Sequence, residues 1–211
     1  MKNKNKVIGV LAASAALVAG TAAGAPAAQA MDGNTSLASV LNVGNAKFDK
    51  SNNDFDILTK AAEAVLAAKP NSPVALLADG DTALTVFAPT DKAFKNLASA
   101  LAGHTIKNES DAFDAVAGLG IDTVETVLLY HVIPGATIES PDALEANGTV
   151  LATAAEGKNT KVLVSDAPSI RLRDYAPKFK NAQVILSAVD INKGNKQVAH
   201  AVDAVMLPFA P

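Results

Sequence analysis

The 211-residue sequence contains no cysteine and no tryptophan, and only 4% of it is aromatic. The missing cysteine excludes disulfides, thiolate nucleophiles, cysteine-based zinc sites, iron–sulfur ligation and lipid attachment through an N-terminal cysteine. Gly-x-Ser-x-Gly, the P-loop and Gly-x-Gly-x-x-Gly are all absent, so no motif marks an acyl-transfer nucleophile or a phosphate cradle. Neither His-x-x-His nor His-Glu-x-x-His joins any two of His104, His131 and His200. Past residue 30 no apolar run approaches the ~20 residues of a membrane-spanning helix. What is present is an ordinary globular balance, 49% apolar and 18% charged, of a length that suits one domain with a short extension.

The first thirty residues read as a leader. Lys2, Lys4 and Lys6 form a basic start, Val7 to Ala23 is apolar and uncharged, and Ala28-Gln29-Ala30 is an Ala-x-Ala cleavage site. A membrane anchor is the alternative, but Gly20, Gly24 and Pro26 break the run. The style is that of a bacterial secretory signal peptide, and cleavage near Ala30 is expected to release a secreted, extracellular protein. The leader holds three of the eighteen basic residues and none of the twenty-one acidic ones, so the remainder carries a formal charge of −6 (15 − 21). That balance speaks against nucleic acid and against stable membrane insertion.

Residues 31–53 form a polar, Asn-rich extension with Leu37, Val40 and Leu41 at the spacing of a short helix. Residues 54–208 form the expected domain, which could start near residue 36. Asp54–Lys69 is a helix, with Ile57, Ala61 and Val65 on one line and Leu58, Ala62 and Leu66 beside it. The most informative stretch is Thr85–Phe94. Thr85-Val86-Phe87 predicts a buried strand, Pro89 ends it, Thr90 is an N-cap, and Asp91 suits the first turn of a helix carrying Phe94, Leu97 and Leu101. Ser110 is placed to cap a short helix, and Asp122 and Glu125 have capping-box spacing before another. That helix runs into Tyr130-His131-Val132-Ile133-Pro134-Gly135, where strand and turn take over, and Ser140-Pro141 caps a further short helix. From Thr149 the period becomes two. Thr149–Ala154, Thr160–Ser165, Ser169–Asp174, Gln183–Ile191 and a closing pair over 197–207 are the strand candidates. Helices lead and strands follow, which argues α+β.

Three blocks resemble the signature blocks of fasciclin-type (FAS1) domains: Thr85–Phe94, Tyr130-His131 with the Val-Ile-Pro-Gly that follows, and Val198–Pro208 with His200, Val202 and Asp203. The resemblance implies two β-sheets packed at a steep angle with helices along one side. It implies a non-enzymatic adhesion module without a cofactor, whose partner is a cell-surface or matrix protein, with self-association as a further option. It also implies a partner-binding role for Tyr130, His131, Val132 and Ile133, and for Asp190 and Ile191. Thr90, Asp91, His131 and His200 stand in the blocks as structural positions. The chain departs from the family pattern in reading Gly194-Asn195-Lys196-Gln197-Val198-Ala199-His200 and in the residues flanking Asp190-Ile191.

For His131 two readings stand side by side. One is a binding residue next to Tyr130; the other is a structural histidine whose ring bonds Asp91 or a corner carbonyl. No metal site is expected from the three histidines. Asp190-Ile191-Asn192-Lys193-Gly194 reads as a hairpin turn, since position twelve of a calcium loop there would be Ala201. Arg171 and Arg173 alternate with Ile170 and Leu172, either as the solvated face of a strand or as contacts for an anionic partner. A second functional reading is an extracellular carrier of a small apolar ligand, a pigment or a lipid, in a groove between sheet and helices.

Overall fold

The computed structural model describes residues 33–166 and 168–210; the leader expected over residues 1–30 lies outside them. Helices dominate the first half: α1 (Leu37–Val40), α2 (Asp56–Ala68), α3 (Asp91–Ala102), α4 (Glu109–Ala117), α5 (Ile121–Tyr130) and α6 (Ser140–Glu145). A 3₁₀ turn, Pro73–Ala78, follows α2. Strands β1 (Leu84–Pro89) and β2 (Val132–Pro134) are set among the helices. Strands β3 (Val150–Ala152), β4 (Asn159–Ser165), β5 (Ser169–Arg173), β6 (Ala182–Gln183) and β7 (Gln197–Val202) come after them. The architecture is α+β with two sheets, ordered β2-β1-β7 and β3-β4-β5-β6.

Strand β1 is the centre of the first sheet. It pairs antiparallel with β2 and parallel with β7, with Phe87 opposite His200. All six residues of both β1 and β7 are buried, the pattern of strands covered on both faces. Alternate residues of β1 serve different cores. Leu84, Val86 and Ala88 face the helices α2, α3 and α5, while Phe87 joins Tyr130, Ile133, Val162, Ile170 and Leu172 between the sheets.

Hydrogen bonds also stitch the two sheets together at both edges. Ala154 N–H donates to Val132 O at 2.8 Å, joining the end of β3 to β2. Ile185 N–H donates to Ala201 O at 2.8 Å and Asp203 N–H to Gln183 O at 3.0 Å, joining β6 to β7. The seven strands therefore form a closed circuit around the inner core, and neither sheet keeps a long free edge.

Four local expectations need correction. The strand expected over Gln183–Ile191 is only two residues long. Val184 then crosses to Val202 as a single bridge, a 3₁₀ turn follows at Leu186–Ala188, and Asp190 is left-handed at φ 53°. The N-cap of α4 is Asn108, not Ser110, which lies inside the helix. The Asp122–Glu125 capping box does not form, because Gly120 is the N-cap of α5 and Glu125 instead bonds the Lys69 ammonium at 2.5 Å. Ser140 is the first residue of α6 rather than its cap, and its hydroxyl donates to Asp190.

Candidate functional site

The first signature block builds the corner expected of it. Thr90 Oγ1 accepts from Ala93 N–H at 3.4 Å and opens α3. Asp91 does stand in the first turn of α3, but its carboxylate serves a different helix. It accepts from Ile57 N–H at 2.9 Å and Asp56 N–H at 3.2 Å, so it caps α2 from across the core. Asp91 N–H in turn donates to Asp54 O at 3.0 Å. Burial, then a hydrogen bond with the Asp54 carboxyl, pushes the Asp91 carboxyl up to about 7.

Asp54, Asp91 and Glu109 each bring a carboxylate oxygen within 4.8 Å of the others. Their charge is met from within. Lys95 Nζ lies 3.1 Å from Glu109, both side chains being buried, and Glu109 also accepts from Asp49 N–H at 2.6 Å. This cluster had no signal in the sequence, since its members come from a loop and two helices. Gln197 was missed for the same reason. Its Oε1 accepts from Leu37 N–H at 2.7 Å, and its Nε2 donates to Asp79 O at 2.6 Å and Leu76 O at 2.8 Å.

The second block is the end of α5 and the start of β2. Tyr130, His131, Val132 and Ile133 are all buried, none above 4% exposed. The exposed face expected there is absent, because β2 lies between β1 and the chain leaving β3. The Tyr130 hydroxyl donates to Asn159 O at 2.8 Å, and burial raises its pKa. His131 bonds neither Asp91 nor a corner carbonyl. Its Nδ1 lies 2.7 Å from Val127 O and its Nε2 2.9 Å from Met206 N. A carbonyl only accepts and an amide N–H only donates, so the ring is neutral with its proton on Nδ1. Burial holds it down to about 4.

His200 carries the opposite tautomer. Its Nε2 donates to Ile138 O at 2.8 Å, and its Nδ1 accepts from Asp190 N–H at 3.3 Å. Burial lowers its pKa as well. The three histidines are thus held apart on separate carbonyls, with His104 exposed near Ala102 O.

The remaining candidate pair, Asp190 and Ile191, sits in the turn before β7. Asp190 and Asn192 both have positive φ, 53° and 72°, on either side of Ile191. The Asp190 carboxylate accepts from Ser140 N–H at 2.7 Å and Ser140 Oγ–H at 2.6 Å. Asn192 Nδ2 donates to Thr35 O at 2.7 Å and Gln197 O at 2.9 Å. The turn is therefore fastened on three sides. Asp190 and Ile191 are half-buried, and Lys193 projects at its tip with its side chain 60% exposed, paired with Glu139 at 2.9 Å.

The profile of the Fasciclin domain matches residues 55–208. A FAS1 domain pair from the insect cell adhesion molecule Fasciclin I is similar in structure at 17% identity and a TM-score of 0.45. The match covers 70% of this chain and 44% of that one, so the chain spans less than half of that two-domain protein. No curated protein matches the sequence. No helix among the described residues is long and apolar enough to cross a membrane. With the profile running from the start of α2 through the last block, the chain belongs to the fasciclin domain family, a cell-adhesion type of module.

Proposed function

We propose that this chain is a secreted, non-enzymatic adhesion or surface-interaction module whose partner is a cell-surface or matrix protein. The observation that carries the reading is the turn at Asp190–Lys193. Of the two candidate segments it alone reaches solvent, and it is held in one shape by Ser140, Gln197 and the left-handed Asp190 and Asn192. A preorganised loop loses little freedom on binding. In this reading Tyr130, His131, Val132 and Ile133 act from beneath, as the floor that holds β2 and the sheet seam in place. The leader is removed near Ala30, and the folded domain begins near residue 36, ahead of the profile match, because Leu37 is fully buried in the helical core.

The test is cell attachment to surfaces coated with the purified protein. Wild-type protein is expected to support attachment. Lys193→Ala is expected to reduce it several-fold at unchanged melting temperature, and Ile191→Ala to reduce it several-fold with a modest loss of stability, since that side chain packs partly on the core. Full attachment by both variants removes the turn from the site; no attachment to the wild type, with no self-association in solution, removes the adhesion reading.

The carrier reading has one observation in its favour. A cleft of about 230 Å³ lies inside the strand circuit, lined by Phe87, Ile133, Ile138, Val162 and Ile170 among others. Ligand pockets typically hold ~300–1,000 Å³, so this one is small for a pigment and suits at most the end of an apolar chain. Native mass spectrometry of protein from its own host separates the two readings by extra mass that is lost on denaturation.

A further inference from the structure

The solvent face of the four-stranded sheet carries positive charge on a chain that is acidic overall. The inner face of β4 and β5 is buried through Thr160, Val162, Ile170 and Leu172, which leaves Lys161, Leu163, Arg171 and Arg173 outward. Register sets Lys161 directly opposite Arg173, and Leu163 opposite Arg171 one rung along. Neighbouring strands lie ~4.8 Å apart and alternate residues ~6.8 Å along a strand, so three cations share two adjacent rungs. Like charges directly opposed weaken a sheet. Among the described residues no carboxylate forms an ion pair with any of the three, although six other lysines of the chain are paired. The whole chain has a formal charge of −3, so the face inverts the sign of the molecule locally.

A groove of about 520 Å³ adjoins this face, bounded by Leu163, Arg173, Asp174, Tyr175, Pro177 and Asn181. Tyr175 is 40% exposed at its edge of the groove, with Lys158 Nζ over its ring at 4.8 Å from the centroid. Asp174 does not oppose the cations, since its carboxylate is turned to the N–H groups of Ala176 and Leu207 at 3.0 Å each. An aromatic platform, an amide and a row of cations on a flat face fit a polymer that is both charged and ringed. The groove sets Leu163, Tyr175 and Pro177 among Arg173, Asp174 and Asn181, a mixed wall rather than the apolar centre that anchors a protein partner. Val150, opposite Lys161 at 57% exposure, and Leu163 are the apolar side chains on this face, fewer than a membrane-surface element buries.

We propose that the outer face of the β3-β4-β5-β6 sheet binds a polyanionic glycan, with Lys161, Arg171 and Arg173 on its anionic groups and Tyr175 against a sugar ring. This site is separate from the Asp190–Lys193 turn, and its partner is of a different class. Success or failure here leaves the attachment assay on the turn variants unaffected.

The probe is polygalacturonate, titrated into the full chain by calorimetry at rising sodium chloride, with neutral dextran, inorganic polyphosphate and phosphatidylglycerol vesicles alongside. Polygalacturonate is expected to bind, dextran not to bind, and affinity to fall steeply with salt, as it does wherever cations meet a polyanion. The double variant Arg171→Gln/Arg173→Gln is expected to lose at least tenfold in affinity while its melting temperature holds or rises. Tyr175→Ala is expected to weaken polygalacturonate several-fold and leave polyphosphate unchanged. The proposal is overturned if the double variant binds polygalacturonate like wild type. It is also overturned if polyphosphate or the vesicles bind as tightly as the glycan with Tyr175→Ala without effect, which would mark the face as a general anion surface.

Discussion

His131 and Met206, 75 positions apart in sequence, are joined by a hydrogen bond: the Met206 N–H donates to His131 Nε2 at 2.9 Å. The ring's other nitrogen donates to Val127 O. A proton added at Nε2 would face a donor, so the fold needs this ring neutral. Its pKa is lowered from 6.5 to about 4 by burial. The unfolded chain therefore takes up a proton before the folded one, and the stability that rests on neutral His131 is full above about pH 6.5 and is lost as pH falls toward 4. The difference amounts to about 3 kcal/mol. Urea unfolding at pH 7.5, 6 and 5 should show most of it. His131→Phe should flatten that part of the profile while lowering stability at pH 7.5 by ~2–4 kcal/mol, from the two polar groups it strands. A profile as steep as the wild type in His131→Phe would assign the effect to His200 instead.

Tyr130 is a packing residue first. Tyr130→Phe removes only the bond to Asn159 O and should cost ~1 kcal/mol. Tyr130→Ala empties a fully buried site between the sheets and should cost ~3–5 kcal/mol. Paired unfolding curves and attachment assays decide the matter. Loss of attachment in a well-folded Tyr130→Phe protein would restore a direct contact role.

Asp91 runs in the opposite pH direction. Its folded pKa is raised from 3.8 to about 7, by burial and by the Asp54 carboxyl. The folded state holds a proton that the unfolded state has released, so the stabilising contribution is complete at low pH and is lost as pH rises through about 7. Asp91→Asn should keep part of the cap on α2 and remove the decline between about pH 4 and 7. Asp91→Ala should cost most near pH 4 and less toward pH 7, where the part that remains, ~1–3 kcal/mol, is the lost acceptor of Asp56 and Ile57 N–H.

The Lys95–Glu109 pair, at 3.1 Å and out of solvent, should behave as buried ion pairs do. Glu109→Ala leaves an unpaired ammonium and frees Asp49 N–H, and should destabilise by ~3–5 kcal/mol. The double variant Lys95→Met/Glu109→Leu should recover most of that. Equal losses in the single and double variants would show that packing, not charge, sets the cost.

Gln197 ties the extension to the domain. Removing residues 33–53 takes Leu37 from the core and leaves Gln197 Oε1 without its N–H donor. The shortened protein should lose several kcal/mol, and Leu37→Ala alone ~2–5. A truncated domain as stable as the full chain would move the domain start to residue 54.

Where the signal was local, the sequence was readable. The period of α2, the Pro89-Thr90 corner and the alternation of Ile170-Arg171-Leu172-Arg173 are each decided by neighbours within one or two turns. Family resemblance supplied the arrangement of these pieces. What escaped was long-range. The Gln183–Ile191 stretch has strand composition, yet Val184 and Ile185 are drawn across to β7 and the strand ends. Glu125 has the spacing of a cap, but Lys69 reaches it from another helix. Tyr130–Ile133 took its binding role from the family resemblance, and only the closed strand circuit buries it. Asp54, Asp91, Lys95 and Glu109 converge through tertiary structure that no spacing rule encodes.

The parallel pairing of β1 with β7 has a consequence for synthesis. Leu84 is made well before its partner Gln197 and must wait for it. Until then the most apolar strand has one bare edge and an unfilled face, and the Met206 N–H that His131 requires does not yet exist. Contacts this distant in sequence form slowly. A nascent chain of this design cannot close its first sheet until β7 is made, and its central strand needs protection until then.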